Sequence, residues 1–363
     1  MTRRGLLAVP IAGVALRAAQ QTRFRLSPYR VRLRHTWTTT MSSSDYRDVI
    51  YFLFTRGNVS GVGEGAPIVR YHESAEQAMR FSKDLEQWFN DKVDLMQYRK
   101  IIRAVHAKIP GDWALKSAID IALHDWVGQH LDVPIWKMLG LDPLDAPATT
   151  FSIGIDTPEM TRQKVKEAEA YPVLKIKVGL KTDEQTLDAV RSVTKKPLRV
   201  DANEGWKSKE EAVAKINWLE KHGVEFVEQP MPAHMLEDMK YVRSKVHIPV
   251  IADEACLHPS DVPKLAPYFD GVNIKLDKCG GMLEAFRMIE MARALGMKTM
   301  LGCMISTSVA VTAAAQLSPM VDWADLDGNL LIANDPYVGV TVESGKLILP
   351  SEPGLGLRPV QAG

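Results

Sequence analysis

From about residue 148 the chain repeats one pattern eight times, a short apolar run followed by a stretch with helical spacing. The runs are TTFSIGI, LKIKVG, LRVDAN, VEFVEQP, VIADE, GVNIKLDK, KTMLGC and DWADLDG. Between them lie segments such as KEEAVAKINWLEKHG and GMLEAFRMIEMARALG, whose apolar residues recur every three to four positions. Strands that alternate with helices pair in parallel, and eight such units close on themselves. The spacing therefore predicts an α/β chain built on a (β/α)8, TIM-like barrel over residues 141–328.

Residues 22–140 read differently. YRVRLRHTW and DVIYFLF alternate like strands, with turn punctuation at RGNVSG and GEGAP. WALKSAIDIALHDWVGQHL then follows as a helix stopped by Val133 and Pro134. This is an α+β unit with a small antiparallel sheet. Gly61, Gly63 and Gly65 complete no GxGxxG and are assigned to the connection between strands rather than to a phosphate loop. Residues 329–363, with SEPGLGLRP, are expected to return over this first unit.

Composition excludes some classes of partner. With 46% hydrophobic and 25% charged residues and a net charge of +1, basic and acidic residues interspersed, nothing marks a nucleic-acid or anionic-membrane partner, and a small molecule is the better expectation. Three cysteines without a CxxC form neither a disulfide framework nor a zinc site and are expected as small buried residues. Residues 1–21 stand apart. Arg3 and Arg4 precede an apolar run from Leu6 to Leu16 and then small residues, the pattern of an export signal of the twin-arginine type. The expectation is a periplasmic mature protein with no membrane span; a short buried helix in a cytoplasmic chain is the alternative.

The ionisable residues at the strand ends carry the chemistry. Lys177, Asp201, Glu228, Asp253 and Lys275 are separated by 24, 27, 25 and 22 residues, and Asp325 lies 50 further on, about two units. Each step is one βα repeat, so the set converges on the carboxyl-end mouth where barrel active sites lie. Asp201, Glu228 and Asp253 come from consecutive strands. Three carboxylates held together call for a hard divalent cation with oxygen ligands, and Mg2+ fits best. Asn203, two residues beyond Asp201, is a candidate substrate or supporting contact.

Lys177 and Lys275 belong to strands two and six of the eight, which face each other across the ring. Lys175 supplies a neighbouring positive charge at i−2 from Lys177, on the same face of the pleat. A lysine beside a metal and a second lysine has its ammonium disfavoured, toward the range of about 7 to 8 that suits a general base. Lys278 is left out of this set, because i+3 from Lys275 points away from a strand's inward face. Opposed bases on a metal-held carboxylate imply removal of an α-proton, an enediolate, and reprotonation from the other side. Asp325 and Asp327, again at i and i+2, form an acidic pair on strand eight that suits a cationic substrate end. A molecule with a carboxylate at one end and an ammonium farther off than in an amino acid is a dipeptide.

These residues resemble those of the enolase superfamily, in its muconate lactonizing enzyme subgroup, and within it the dipeptide epimerases. The stretches that carry the resemblance are SAIDIALHDWVGQHLDVPIWKMLG, LKIKVG, VDANEGW, VEQP, IADE, NIKLDKCGG, GCMISTSVAVTAAAQ and DLDG. The resemblance implies Lys177 and Lys275 as the acid/base pair, Asp201, Glu228 and Asp253 as ligands of one Mg2+ per subunit, and Asp325 with Asp327 as the dipeptide ammonium site. It implies that the α+β unit is a capping domain whose loops, at residues 36–44 and 67–73, close the barrel mouth. It also implies a symmetric homo-oligomer. One departure stands out: Ile305, Ser306 and Thr307 occupy the place after strand seven where the epimerases carry an acidic residue. Trp37 and Tyr71 in the cap loops suggest an apolar side-chain pocket, and Arg70 and His72 an anionic one. Rival readings are o-succinylbenzoate synthase or muconate cycloisomerase chemistry, against which the acidic pair argues, and a peptide-binding protein, against which the opposed lysines argue.

Overall fold

The computed structural model describes residues 22–360. The export-signal expectation therefore lies outside the described residues. Three antiparallel strands, β1 (Thr22–Thr38), β2 (Ser43–Arg56) and β3 (Val59–Gly65), open the chain and pair in the order β1-β2-β3. The helix Trp113–His130 lies across β3. Gly61, Gly63 and Gly65 are not in a connection between strands: they sit within β3, at i, i+2 and i+4 on one face. A Cβ at these positions would stand 2.3, 1.9 and 1.9 Å from the carbonyl oxygens of Ala122, Ala118 and Ala114, which are themselves spaced four residues apart. Two strand residues span about 6.8 Å and four helical residues about 6 Å, so the two repeats run nearly in step and the glycines let helix and strand touch backbone to backbone.

Eight parallel strands follow: β4 (Phe151–Ile153), β5 (Leu174–Lys177), β6 (Leu198–Asp201), β7 (Val224–Glu228), β8 (Val250–Ala252), β9 (Gly271–Ile274), β10 (Lys298–Gly302) and β11 (Trp323–Asp325). Their order is sequential from β4 to β11, and a parallel bridge between Thr149 and Ala324 closes the ring. This is the (β/α)8 barrel with a capping sheet. Ile176, Val200, Val227, Val272 and Leu301 are fully buried, as strands covered on both faces require.

Beyond β11 the chain returns to the first sheet. Arg34 donates its N–H to the Leu331 carbonyl, Ala333 to that of Arg32, and Asn334 Nδ2 to that of Arg30. The Leu355 N–H reaches Asp125 on the long helix at 2.8 Å. Cys256 and Cys279 are buried, while Cys303 is only half-buried. Among the described residues, no helix is long and apolar enough to cross a membrane.

Candidate active site

The parallel register places the ionisable residues level with one another at the carboxyl ends of the strands. Lys177 is in register with Asp201, and Asp201 with Glu228. Asp253 and Lys275 each follow directly on their strands, and Asp325 ends β11. Asp201, Glu228 and Asp253 each bring a carboxylate oxygen within 4.8 Å of the others. All three are buried to 2% exposure or less.

The lysines surround this triad from two sides. Lys177 Nζ donates to Asp201 at 2.5 Å, and Lys275 Nζ to Asp253 at 2.7 Å. They rise from β5 and from the end of β9, four places apart in a ring of eight. Lys175 is deeper: its Nζ lies 2.6 Å from Glu228, 2.6 Å from Asp325 and 3.4 Å from Asp201. It is thus a bridge between the triad and the acidic pair on strand eight as well as a neighbour of Lys177.

Lys278 belongs to the site, contrary to the sequence expectation. Its Nζ donates to the Asp253 carbonyl and carboxylate, both at 2.6 Å, and to the Asn273 carbonyl at 3.0 Å. The strand rule failed because β9 stops at Ile274 and a helical turn, Leu276–Cys279, begins at once. In a helix i+3 returns to the same side. Asn203 reaches the site in an unexpected way too. β6 ends at Asp201, and Asn203 and Glu204 take left-handed backbone angles, φ 41° and 60°. From that turn Asn203 Nδ2 donates to Asp201 at 3.2 Å and to Glu254 at 3.1 Å.

The lowered lysine pKa is expected beside a bound cation; among the carboxylates alone the balance at Lys275 runs the other way. Burial disfavours the ammonium of Lys275, but Asp253 and Glu228 outweigh it and hold the pKa above the ordinary lysine value. The same balance, with Asp325 and Glu228 as the partners, holds Lys175 well above it. The carboxylates respond in kind. Burial opposes charge on Asp253, yet Lys275 and Lys278 keep it well below the usual range, whereas burial and Asp201 push Glu228 up to about 7.

Four buried acceptor oxygens in this small volume have no hydrogen-bond partner: Asn203 Oδ1, Glu228 Oε2, Glu254 Oε2 and Asn273 Oδ1. Lys175 is close to Glu228 Oε2 but outside hydrogen-bonding geometry. A cluster of orphaned hard oxygens around three carboxylates is the donor set of an oxygen-loving divalent cation, so the residues present fit Mg2+.

On strand eight, Asp325 and Asp327 come together as expected, though not as two free carboxylates. Asp325 accepts from Lys175 and, at 2.5 Å, from the Thr150 hydroxyl. Lys175 and Thr150 overcome the cost of burial and bring its pKa down to about 2. Asp327 accepts the Ser152 N–H at 2.6 Å, and burial together with Asp325 pushes it up to about 7. Asn273, Thr150 and Ser152 were missed in the sequence. Asn273 was findable, since it stands at i−2 from Lys275 on the same inward face, and its Nδ2 donates to Glu228 at 2.7 Å.

The cap covers the mouth with both expected loops. Thr40 Oγ1 donates to the Asn203 carbonyl at 2.7 Å, and Arg70 pairs with Glu204 at 2.5 Å. Lys177 Nζ lies over the Trp37 ring, 6.0 Å from its centroid.

A protein family described as "Enolase C-terminal domain-like" matches residues 159–362. The chain is 44% identical over 337 residues to an L-Ala-D/L-Glu epimerase of Bacteroides thetaiotaomicron, covering 92% of this chain and 87% of that one. It is 41% identical over 340 residues to an L-Ala-D/L-amino acid epimerase of Pedosphaera parvula, covering 91% and 97%. Among solved structures, a dipeptide epimerase of Enterococcus faecalis complexed with Mg and L-Leu-L-Tyr superposes with a TM-score of 0.86 at 31% identity, covering 93% of this chain and 99% of that one.

Proposed function

The chain belongs to the enolase superfamily, in its dipeptide-epimerase subgroup, and from that premise we propose how its site works. It is a Mg2+-dependent isomerase that inverts the α-carbon of the C-terminal residue of a dipeptide. The observation that carries this reading is the placement of Lys177 and Lys275 on opposed sides of one carboxylate triad, each against a different ligand.

Asp201, Glu228 and Asp253 would hold the metal, which supplies neutralisation of the charge that grows on the substrate carboxylate as the α-proton leaves. One lysine, as the neutral amine, takes the α-proton at Nζ. The C–H electron pair passes into the carboxylate. The opposite lysine, as the ammonium, delivers its proton to the other face, and inversion follows. Lys175 holds Asp325 and the triad at a fixed separation, while Asp325 and Asp327 bind the substrate ammonium and so select a dipeptide over a free amino acid. Asn203 steadies Asp201. Trp37 and the 67–73 loop shut water out over the lysines.

The test is mass spectrometry of L,L-dipeptides incubated with the protein and Mg2+ in D2O. The expected result is a single-dalton gain confined to the C-terminal residue of some dipeptides, lost on chelation. No gain with any dipeptide, metal being bound, overturns the reading. Two further proposals concern the chain's setting. Residues 1–21 direct export by the twin-arginine route, which fractionation of cells with and without Arg3 and Arg4 tests. The protein assembles as a symmetric homo-oligomer, read by light scattering.

A further inference from the structure

Glu64 is fully buried on β3 of the capping sheet, yet every group it binds lies on the barrel. Its Oε1 accepts the Thr307 N–H at 2.8 Å; its Oε2 accepts the Thr307 hydroxyl at 2.6 Å and the Ala310 N–H at 3.0 Å. These donors open the helix Ser308–Ala315, whose unpaired N–H groups and dipole favour a carboxylate there. Tyr51, on the neighbouring cap strand, hydrogen-bonds the Thr307 hydroxyl at 2.8 Å. The cap therefore grips the end of the segment that links β10 to this helix.

That segment backs the acidic pair. Cys303 Sγ lies 3.4 Å from the Asp325 carbonyl and accepts the Gly328 N–H at 3.3 Å. Gly328 is so close that a Cβ on it would stand 2.4 Å from the Met304 carbonyl. Residues 303–304 and 325–328 are thus in direct contact, so the placement of one segment bears on the other. The Ser306 hydroxyl, at the place where the epimerases carry an acidic residue, donates back to the Met304 carbonyl, and the carboxylate that binds the end of this turn comes from the cap.

We propose that Glu64 is a positioning residue for the substrate's ammonium group, fixing the 303–307 segment against which Asp325 and Asp327 are set. This rests on the reading of those two residues as the ammonium site of a dipeptide epimerase. Glu64→Gln keeps the volume but turns one acceptor into an NH2 group that faces N–H or O–H donors, so the turn shifts.

The experiment uses the full chain with Mg2+ and compares L-Ala-L-Glu as substrate with N-propionyl-L-glutamate, the same molecule without the ammonium, as competitive inhibitor. In Glu64→Gln the KM for the dipeptide is expected to rise about tenfold while kcat stays within about threefold, and the preference for the dipeptide over the propionyl compound to shrink by a similar factor. Asp125→Asn alters another buried cap carboxylate, bonded to Val62, Leu355 and Gln129, and is expected to lower Tm without moving that preference. An unchanged preference in Glu64→Gln makes Glu64 merely structural and overturns the proposal. Where Glu64→Gln does not fold, Thr307→Val, which removes one of the three donors, takes its place with the same criteria. A wild-type protein that exchanges no α-proton in any dipeptide removes the underlying reading, and the proposal with it.

Discussion

Two pairs of lysines flank the metal triad, and they are spaced differently in the sequence. Lys175 and Lys177 are two apart on β5, where the pleat sends both inward. Lys275 and Lys278 are three apart, because the chain leaves β9 and enters a helical turn between them. The outcome in space is alike: each pair places two ammonium groups against the buried carboxylates. One residue of each pair, Lys177 or Lys275, faces the mouth, and the other, Lys175 or Lys278, lies deeper with 1–2% exposure. A side-chain period is thus informative only together with the secondary structure that it is counted on.

The comparison is broken or sharpened by substitution. The largest effect is expected from Lys177→Met and Lys275→Met, which remove the groups that move protons. Each should cut α-proton exchange by about a thousandfold or more while Mg2+ still binds, and substantial exchange in both variants would end the two-base reading. Next come the deeper lysines. Lys278→Met leaves Asp253 without two of its contacts, and a loss of about 10- to 100-fold in Mg2+ affinity is expected by metal titration. Lys175→Met should weaken Mg2+ binding too, and it alone of the deeper pair should also raise the dipeptide KM, since only Lys175 touches Asp325. Equal KM effects in the two variants would dissolve the distinction between the pairs.

The smallest effect comes from a buried carboxylate that has no lysine. Burial pushes Asp125 up to about 6, against three hydrogen bonds that lower it, whereas two lysines keep Asp253 well below the ordinary range. For a carboxyl whose folded pKa is raised, the native state binds the extra proton between the unfolded value near 3.9 and the folded one, so its favourable contribution is full at low pH and lost as pH rises through about 6. The Tm deficit of Asp125→Asn relative to the wild type should therefore shrink from about pH 4 to about pH 8. A deficit that widens over that range would mean that the charged form is the one the fold prefers.

Much of the site was legible because barrel strands deliver one inward residue per repeat, and a spacing of 22 to 27 residues between ionisable groups survives in one dimension. Lys177, Asp201, Glu228, Asp253 and Lys275 all follow from it. What escaped depends on where an element stops. A strand period continued past Ile274 excludes Lys278, which a helical turn brings back, and Asn203 reaches Asp201 from a left-handed turn instead of along the pleat. The role of the β3 glycines has no local signature, because the helix that requires them lies about 50 to 60 residues further along the chain. Glu64 gave no local signal at all, since each of its partners lies more than 240 residues further on.

The sequence alone determined the repeat, the closed barrel it implies, and which residue types meet at its mouth, since apolar periodicity and strand-end spacing are properties of local chain geometry. The tertiary structure decided which carboxylate each ammonium meets, that Asp325 is held by Lys175, and that a cap residue caps a barrel helix. Those pairings depend on distances between separate elements of a few ångströms, and over that range charge and burial set the pKa of each group far more than its neighbours in sequence do.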